Sequence, residues 1–140
     1  MKGTPPGFVS LEGRSPTIDL IGPVYARGKG RELVLGLRCE RKHCNTRGTV
    51  HGGILATLAD IALGYSLAFS TEPPTAAVTA SLSLDFAGAA NAGDWLEATV
   101  DFQKLGKRLA FANCYISAEG QRVVRASAVF AVTGTLDRKG

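Results

Sequence analysis

Between Ile54 and Phe69 every side chain is apolar, small or hydroxyl-bearing except one, the carboxylate of Asp60. A helix of that composition is hydrophobic on all sides, which predicts that the rest of the fold encloses it. An ionised carboxylate inside such an enclosure is costly unless something compensates for it. The run is shorter than the ~20 apolar residues that cross a bilayer and is interrupted by that charge. It therefore reads as a buried helix and not as a membrane span.

A chain of 140 residues with 45% hydrophobic content fits one domain with a real core. Sixteen Lys and Arg against 12 Asp and Glu give a net charge of +4. The basic residues are dispersed, so no nucleic-acid surface is expected, although small anionic ligands would be favoured. Cys39, Cys44 and Cys114 make no disulfide framework, and the N-terminus lacks the pattern of a secretory signal. A reducing, cytoplasmic setting is expected. Gly3, Pro5, Pro6, Gly7 and Gly13 mark residues 1–15 as a flexible N-terminal segment, leaving residues 16–140 as a single domain.

Two-residue alternation then predicts strands. Leu33, Leu35, Leu37 and Cys39 share one face, as do Leu96, Ala98, Val100 and Phe102, and Val124, Ala126, Ala128, Phe130 and Val132. A fourth set, Val78, Ala80, Leu82, Leu84 and Phe86, points inward if its alternation is unbroken, which turns Thr79 outward. Residues 108–118 alternate less cleanly but lie between turn signals at Gly106 and Gly120, so the last three strands form a meander. With one long helix to cover so many strands, the fold class is α+β, a curved antiparallel sheet wrapped around one central helix.

At about 100° per residue, Gly53, Ala56, Thr57, Gly64 and Leu67 fall near Asp60 on the helix. That face is small apart from the carboxylate, and lets a backbone or ligand come close. A structural salt bridge would explain Asp60 simply, but the basic residues sit on exposed strand and turn positions. A carboxylate held away from water is otherwise suited to act as a base or nucleophile.

Asn45, Gly48, His51, Gly52 and Gly53 followed by Asp60 resemble the motif of hotdog-fold acyl-CoA thioesterases of the PaaI and 4-hydroxybenzoyl-CoA thioesterase type. Weaker agreement runs through Gly22 to Tyr25, Asp85, Phe86, Gly93, Asp94 and residues 106–111. The resemblance implies a hotdog fold and hydrolysis of acyl-CoA to free acid and CoA without a cofactor. It maps Asp60 to the base or nucleophile, the Gly52 N–H to the group that polarises the carbonyl, and Asn45 to the amide that places water or substrate. Thr79 aligns with a strand hydroxyl that orients the acid or water. His51 and Gly53 belong to the substrate-binding turn, with His51 shaping the loop more than moving protons. Some relatives carry Thr where this chain has Gly64, and the usual proline-bearing segment after Phe86 is replaced by residues 87–92.

Helix N-terminal amides suit an oxyanion, because they are unpaired and partly positive. Gly52 and Asp60 nonetheless lie roughly 12 Å apart along one helix, too far to act on one carbonyl carbon. Antiparallel pairing of two such helices solves this and predicts a homodimer with two shared sites. The resemblance adds a dimer of dimers.

Lys107 and Arg108 at a hairpin tip are candidates for CoA phosphate contacts, against the plainer reading of a solvated turn. Leu63, Tyr65, Leu67 and Phe86 are candidates for an acyl pocket or simply core. Cys39, His43, Cys44 and His51 lack the paired spacing of a zinc site, so no metal is expected. A non-catalytic acyl-CoA-binding hotdog protein is the alternative function. A hotdog hydratase would need an Asp and His pair in a motif that is absent here.

Overall fold

The computed structural model describes residues 3–136. In chain order the elements are β1 (Val9–Ser10), α1 (Pro16–Ile21), β2 (Val24–Arg27), β3 (Val34–Arg38), α2 (Gly52–Ala68), β4 (Thr75–Phe86), β5 (Trp95–Leu105), β6 (Leu109–Ala118) and β7 (Gln121–Thr135). Short 3-10 turns cover Gly30–Glu32 and Arg41–His43. The seven strands form one sheet in the order β1-β2-β3-β5-β6-β7-β4, with every neighbouring pair antiparallel.

Helix α2 starts where the His51 carbonyl accepts from the Ile54 and Leu55 N–H groups, at 3.0 and 3.3 Å. It stops at Phe69, where the Ser70 hydroxyl donates to the Leu67 carbonyl at 2.8 Å, ahead of Pro73 and Pro74. Leu55, Leu58, Ala59, Ala62, Leu63 and Leu67 face the sheet and are buried. Each such leucine contributes about 1.5–3 kcal/mol relative to an exposed one. Small residues receive them, with Ala110 and Ala112 on β6 and Ala126 and Ala128 on β7 all buried. Larger side chains there would hold the helix off the sheet. The Ser66 hydroxyl fixes the far end of α2 by donating to the Gly30 carbonyl at 2.5 Å.

Four expectations need correction. Residues 1–15 are not irregular throughout, because Val9 and Ser10 pair with Ala26 and Tyr25, Leu11 is buried, and Phe8 meets Trp95 edge-on at 5.2 Å. That corner is tight: a Cβ on Gly36 would lie 2.2 Å from the Trp95 ring. The rest of the chain does not enclose α2, since Gly53 is exposed and Asp60 and Gly64 are only half-buried. The sheet covers one side of the helix, and the described residues leave this one partly open. On β4, Val78 is 57% and Phe86 54% exposed, so neither joins the core. The register slips between Thr79 and Ser81, leaving Ala80 as an extra residue that reverses the alternation. Finally, β6 alternates cleanly, with Ala110, Ala112, Cys114, Ile116 and Ala118 buried. The pattern was obscured because its inward residues are small while Leu109 and Phe111 point outward.

Burial pushes the Cys39 and Cys114 thiols up to about 12, with the Asp94 carboxylate adding to the effect at Cys39. Cys44 is only half-buried. Iodoacetamide at pH 8 is therefore expected to add one label to the folded protein, at Cys44, and three after unfolding. Intact-mass measurement over time checks this, and rapid addition of two or three labels to the folded protein would contradict the burial.

Candidate functional site

The segment between β3 and α2 is fastened at both ends. The Glu40 N–H donates to His43 Nδ1 at 2.8 Å, which makes Nδ1 the acceptor of the neutral ring. Nε2 then carries the proton and donates to the Ile21 carbonyl at 2.5 Å. Lys42 Nζ donates to the Gly22 carbonyl, and the His51 N–H to the His43 carbonyl at 3.0 Å. Both nitrogens of His43 are thus engaged by backbone, and the residue acts as a peg.

Asn45 organises the turn that follows. Its Oδ1 accepts from the Arg47 and Thr49 N–H groups at 2.9 and 3.2 Å, while Gly48, at φ +83°, closes the turn back to the Asn45 carbonyl. Two backbone donors on one side-chain atom identify it as oxygen, which leaves Nδ2 as the group able to donate to a ligand. The turn docks on residues 87–92, where Val50 donates to the Ala90 carbonyl at 2.8 Å and the Asp94 carboxylate accepts from the Asn91 N–H at 2.9 Å. The segment without its proline is therefore held by backbone and side-chain bonds.

His51 occupies the position before the first turn of α2, with its ring exposed and making no capping hydrogen bond. No backbone or side-chain acceptor among the described residues meets the Gly52 or Gly53 N–H. These amides are the positive end of a 17-residue helix. A Cβ on Gly52 would stand 3.1 Å from the Phe86 ring, so glycine keeps the approach to its amide open beside that ring.

Asp60 lies two turns further along. The Thr79 hydroxyl donates to its Oδ1 at 2.9 Å, and no cation among the described residues pairs with it. Thr79 reaches the helix because of the bulge at Ala80; with unbroken alternation it would point to the outer face. The second carboxylate oxygen and the small surface formed by Gly53, Thr57 and Gly64 remain open, with nothing within 4 Å of a Cβ placed on Gly53 or Gly64.

Within one chain the structure brings Asp60 to Thr79, and gathers Asn45, His51, Gly52 and Gly53 at the start of α2. It does not bring these two groups together. Lys107 and Arg108 stand apart from both, exposed at the β5–β6 hairpin. Leu109 pairs with Ala131, which pairs with Val78, so this hairpin lies two strand spacings from β4, about 10 Å. Of the pocket candidates, Leu63 is core and Phe86 lies over Gly52. Two features escaped the sequence reading: the peg at His43, which has no local signature, and the bulge, because Thr79 keeps the polar phase of Ser81 and Ser83.

The sequence model of the thioesterase superfamily matches residues 47–125. A protein of Pseudomonas aeruginosa named "Putative esterase PA0474" is 50% identical over 131 residues, spanning 93% of this chain and 98% of that protein. The PaaI protein of the E. coli phenylacetic acid degradation operon superposes with a TM-score of 0.79 at 24% identity, over 88% of each chain. A hypothetical thioesterase of Streptococcus pneumoniae, solved with coenzyme A, gives a TM-score of 0.76 at 22% identity, over 81% of this chain and 88% of that one. This sequence match and the shared architecture show that the chain belongs to the thioesterase superfamily, a family of thioester hydrolases with the hotdog fold.

Proposed function

We propose that the protein is an acyl-CoA thioesterase that works as a dimer, with each active site shared between two copies. The observation that carries this reading is the Asp60–Thr79 pair on an uncovered helix face. A carboxylate oriented by a hydroxyl and paired with no cation among the described residues can attack a thioester carbonyl itself or take a proton from the water that does. The developing oxyanion is received by the Gly52 N–H of the other copy, and Asn45 Nδ2 donates to the water or the carbonyl. Collapse of the tetrahedral species breaks the C–S bond and the CoA sulfur leaves; on the base route it takes up the proton that Asp60 removed from water, and on the nucleophile route water then cleaves the anhydride formed at Asp60 and supplies that proton. Water supplies the oxygen of the product acid.

Three features support the pairing. Gly52 and Asp60 are roughly 12 Å apart along α2. The face carrying Asp60 and Gly64 is small and open. Strand β4 is a 12-residue sheet edge with no neighbour on its outer side among the described residues, the kind of edge that pairs with another chain. Outward-facing Leu109 and Phe111 suit a second pairing into a dimer of dimers. CoA as the carrier is supported by the ligand of the Streptococcus pneumoniae relative, and Lys107 and Arg108 offer cations for its phosphates. No helix among the described residues is long and apolar enough to cross a membrane.

The test is release of free CoA thiol from a panel of acetyl, medium-chain, long-chain, benzoyl and arylacetyl CoA thioesters. Sustained turnover of at least one is expected. Saturable CoA binding with no release from any of them would instead make this a binding protein.

A further inference from the structure

We propose that Tyr65 sets the length of the acyl group accepted, by standing as a wall between two cavities. This rests on the thioesterase reading given above. Asp60 and Gly64 are one turn apart on the same face of α2. Beside Gly64 lies a cavity of about 250 Å³ lined by Leu67, Ala68, Ala77, Phe130 and the Tyr65 ring. Ala77 and Thr79 occupy the same face of β4, in unbroken register with Val132 and Phe130. The residue that holds the carboxylate is therefore next along the strand from one that lines the chamber. No charged side chain lines this chamber, so it suits the acyl group and not the nucleotide.

A second cavity, of about 380 Å³, also borders Tyr65 and is lined by Val9, Leu11, Leu33 and Phe69, together with the charged Arg14 and Lys29. Among the described residues, Tyr65 alone borders both. Phe69 supports its ring edge-on, with centroids 6.2 Å apart and planes at 89°. The chain from the scissile carbonyl thus runs past Gly64 and ends against Tyr65. Compact acyl groups fit, whereas longer ones need the second cavity.

The experiment compares kcat/KM for straight-chain acyl-CoAs from acetyl to palmitoyl in wild type, Tyr65→Phe, Tyr65→Ala and Gly64→Leu. Wild type should favour the shorter chains. Tyr65→Ala joins the cavities and should raise the ratio of long-chain to short-chain activity at least ~10-fold, the scale of added apolar contact in a pocket. Tyr65→Phe keeps the ring and should keep the wild-type profile. Gly64→Leu starts on the face proposed to meet the second copy and reaches into the near chamber, so its profile is read on protein that native mass spectrometry shows to be dimeric, where it should lower the longest chain accepted. If Tyr65→Ala does not fold, the Gly64→Leu profile decides. A wild type that hydrolyses acyl-CoAs, but whose chain-length profile does not move in the folded variants, overturns the proposal and leaves the thioesterase reading intact. A wild type inert toward every acyl-CoA overturns both.

Discussion

Asp60→Asn is expected to lower kcat for the best acyl-CoA by at least ~100-fold while leaving the fold unchanged. An asparagine oxygen still accepts the Thr79 hydroxyl, so the contact at 2.9 Å survives, and no ion pair is lost. What disappears is the lone pair of an anion, which either attacks the carbonyl or takes the proton from water. The thermal midpoint should stay near that of wild type, which separates a chemical defect from a structural one. Near-normal turnover by the purified variant would make Asp60 a packing residue. Asn45 is a more delicate comparison, because its Oδ1 already holds two backbone amides. Asn45→Ala removes the Nδ2 donor together with both of those bonds, so its folding is checked beside its turnover, and the expected loss is smaller, on the order of 10-fold. An equal loss at both positions would contradict the division into attacking and orienting groups.

The second large effect is recovery of activity from two inactive proteins. A valine at Gly52 should abolish turnover by obstructing the amide, and the exposed Phe86 ring has room to give way to it. Mixed with Asp60→Asn under conditions of subunit exchange, it forms heterodimers in which one site carries both lesions and the other carries neither. Random pairing at equal amounts makes half the dimers mixed, each with one intact site, so about a quarter of wild-type activity should return. Activity tracking the heterodimer fraction, measured by native mass spectrometry, supports the shared site. Continued inactivity in demonstrated heterodimers would sink it, as would full activity in a verified monomer.

Much of this was legible in the sequence because two signals are strong. The apolar run with its single carboxylate foretold α2 to within two residues at its start and one at its end. Inward leucines and valines foretold β3, β5 and β7. What escaped depends on neighbours distant in the chain. The alternation of β6 is written in alanines, which carry little hydropathy contrast against outward Leu109 and Phe111. Phe8, Val9 and Leu11 become structured only through Trp95 and β2, contacts that local composition does not encode. The contact of Thr79 with Asp60 was approached through family resemblance, whereas strict periodicity turned that residue the other way. The uncovered face of α2 was misjudged for a related reason: an apolar run states that it avoids water, and not whether its own chain or another provides the cover.

The extra residue at Ala80 has a consequence for how such a site changes over time. Many exchanges of side chain along β4 would leave Thr79 facing the helix, because its direction is set by counting residues and not by their identity. Loss of the Ala80 codon would leave Thr79, Ser81 and Leu82 in plain alternation, opposite Phe130, Val129 and Ala128, so the hydroxyl would still face Asp60. The bulge absorbs one residue without turning the site, and this stretch of β4 is thus open both to substitution and to loss of a single residue at a position that never touches the substrate.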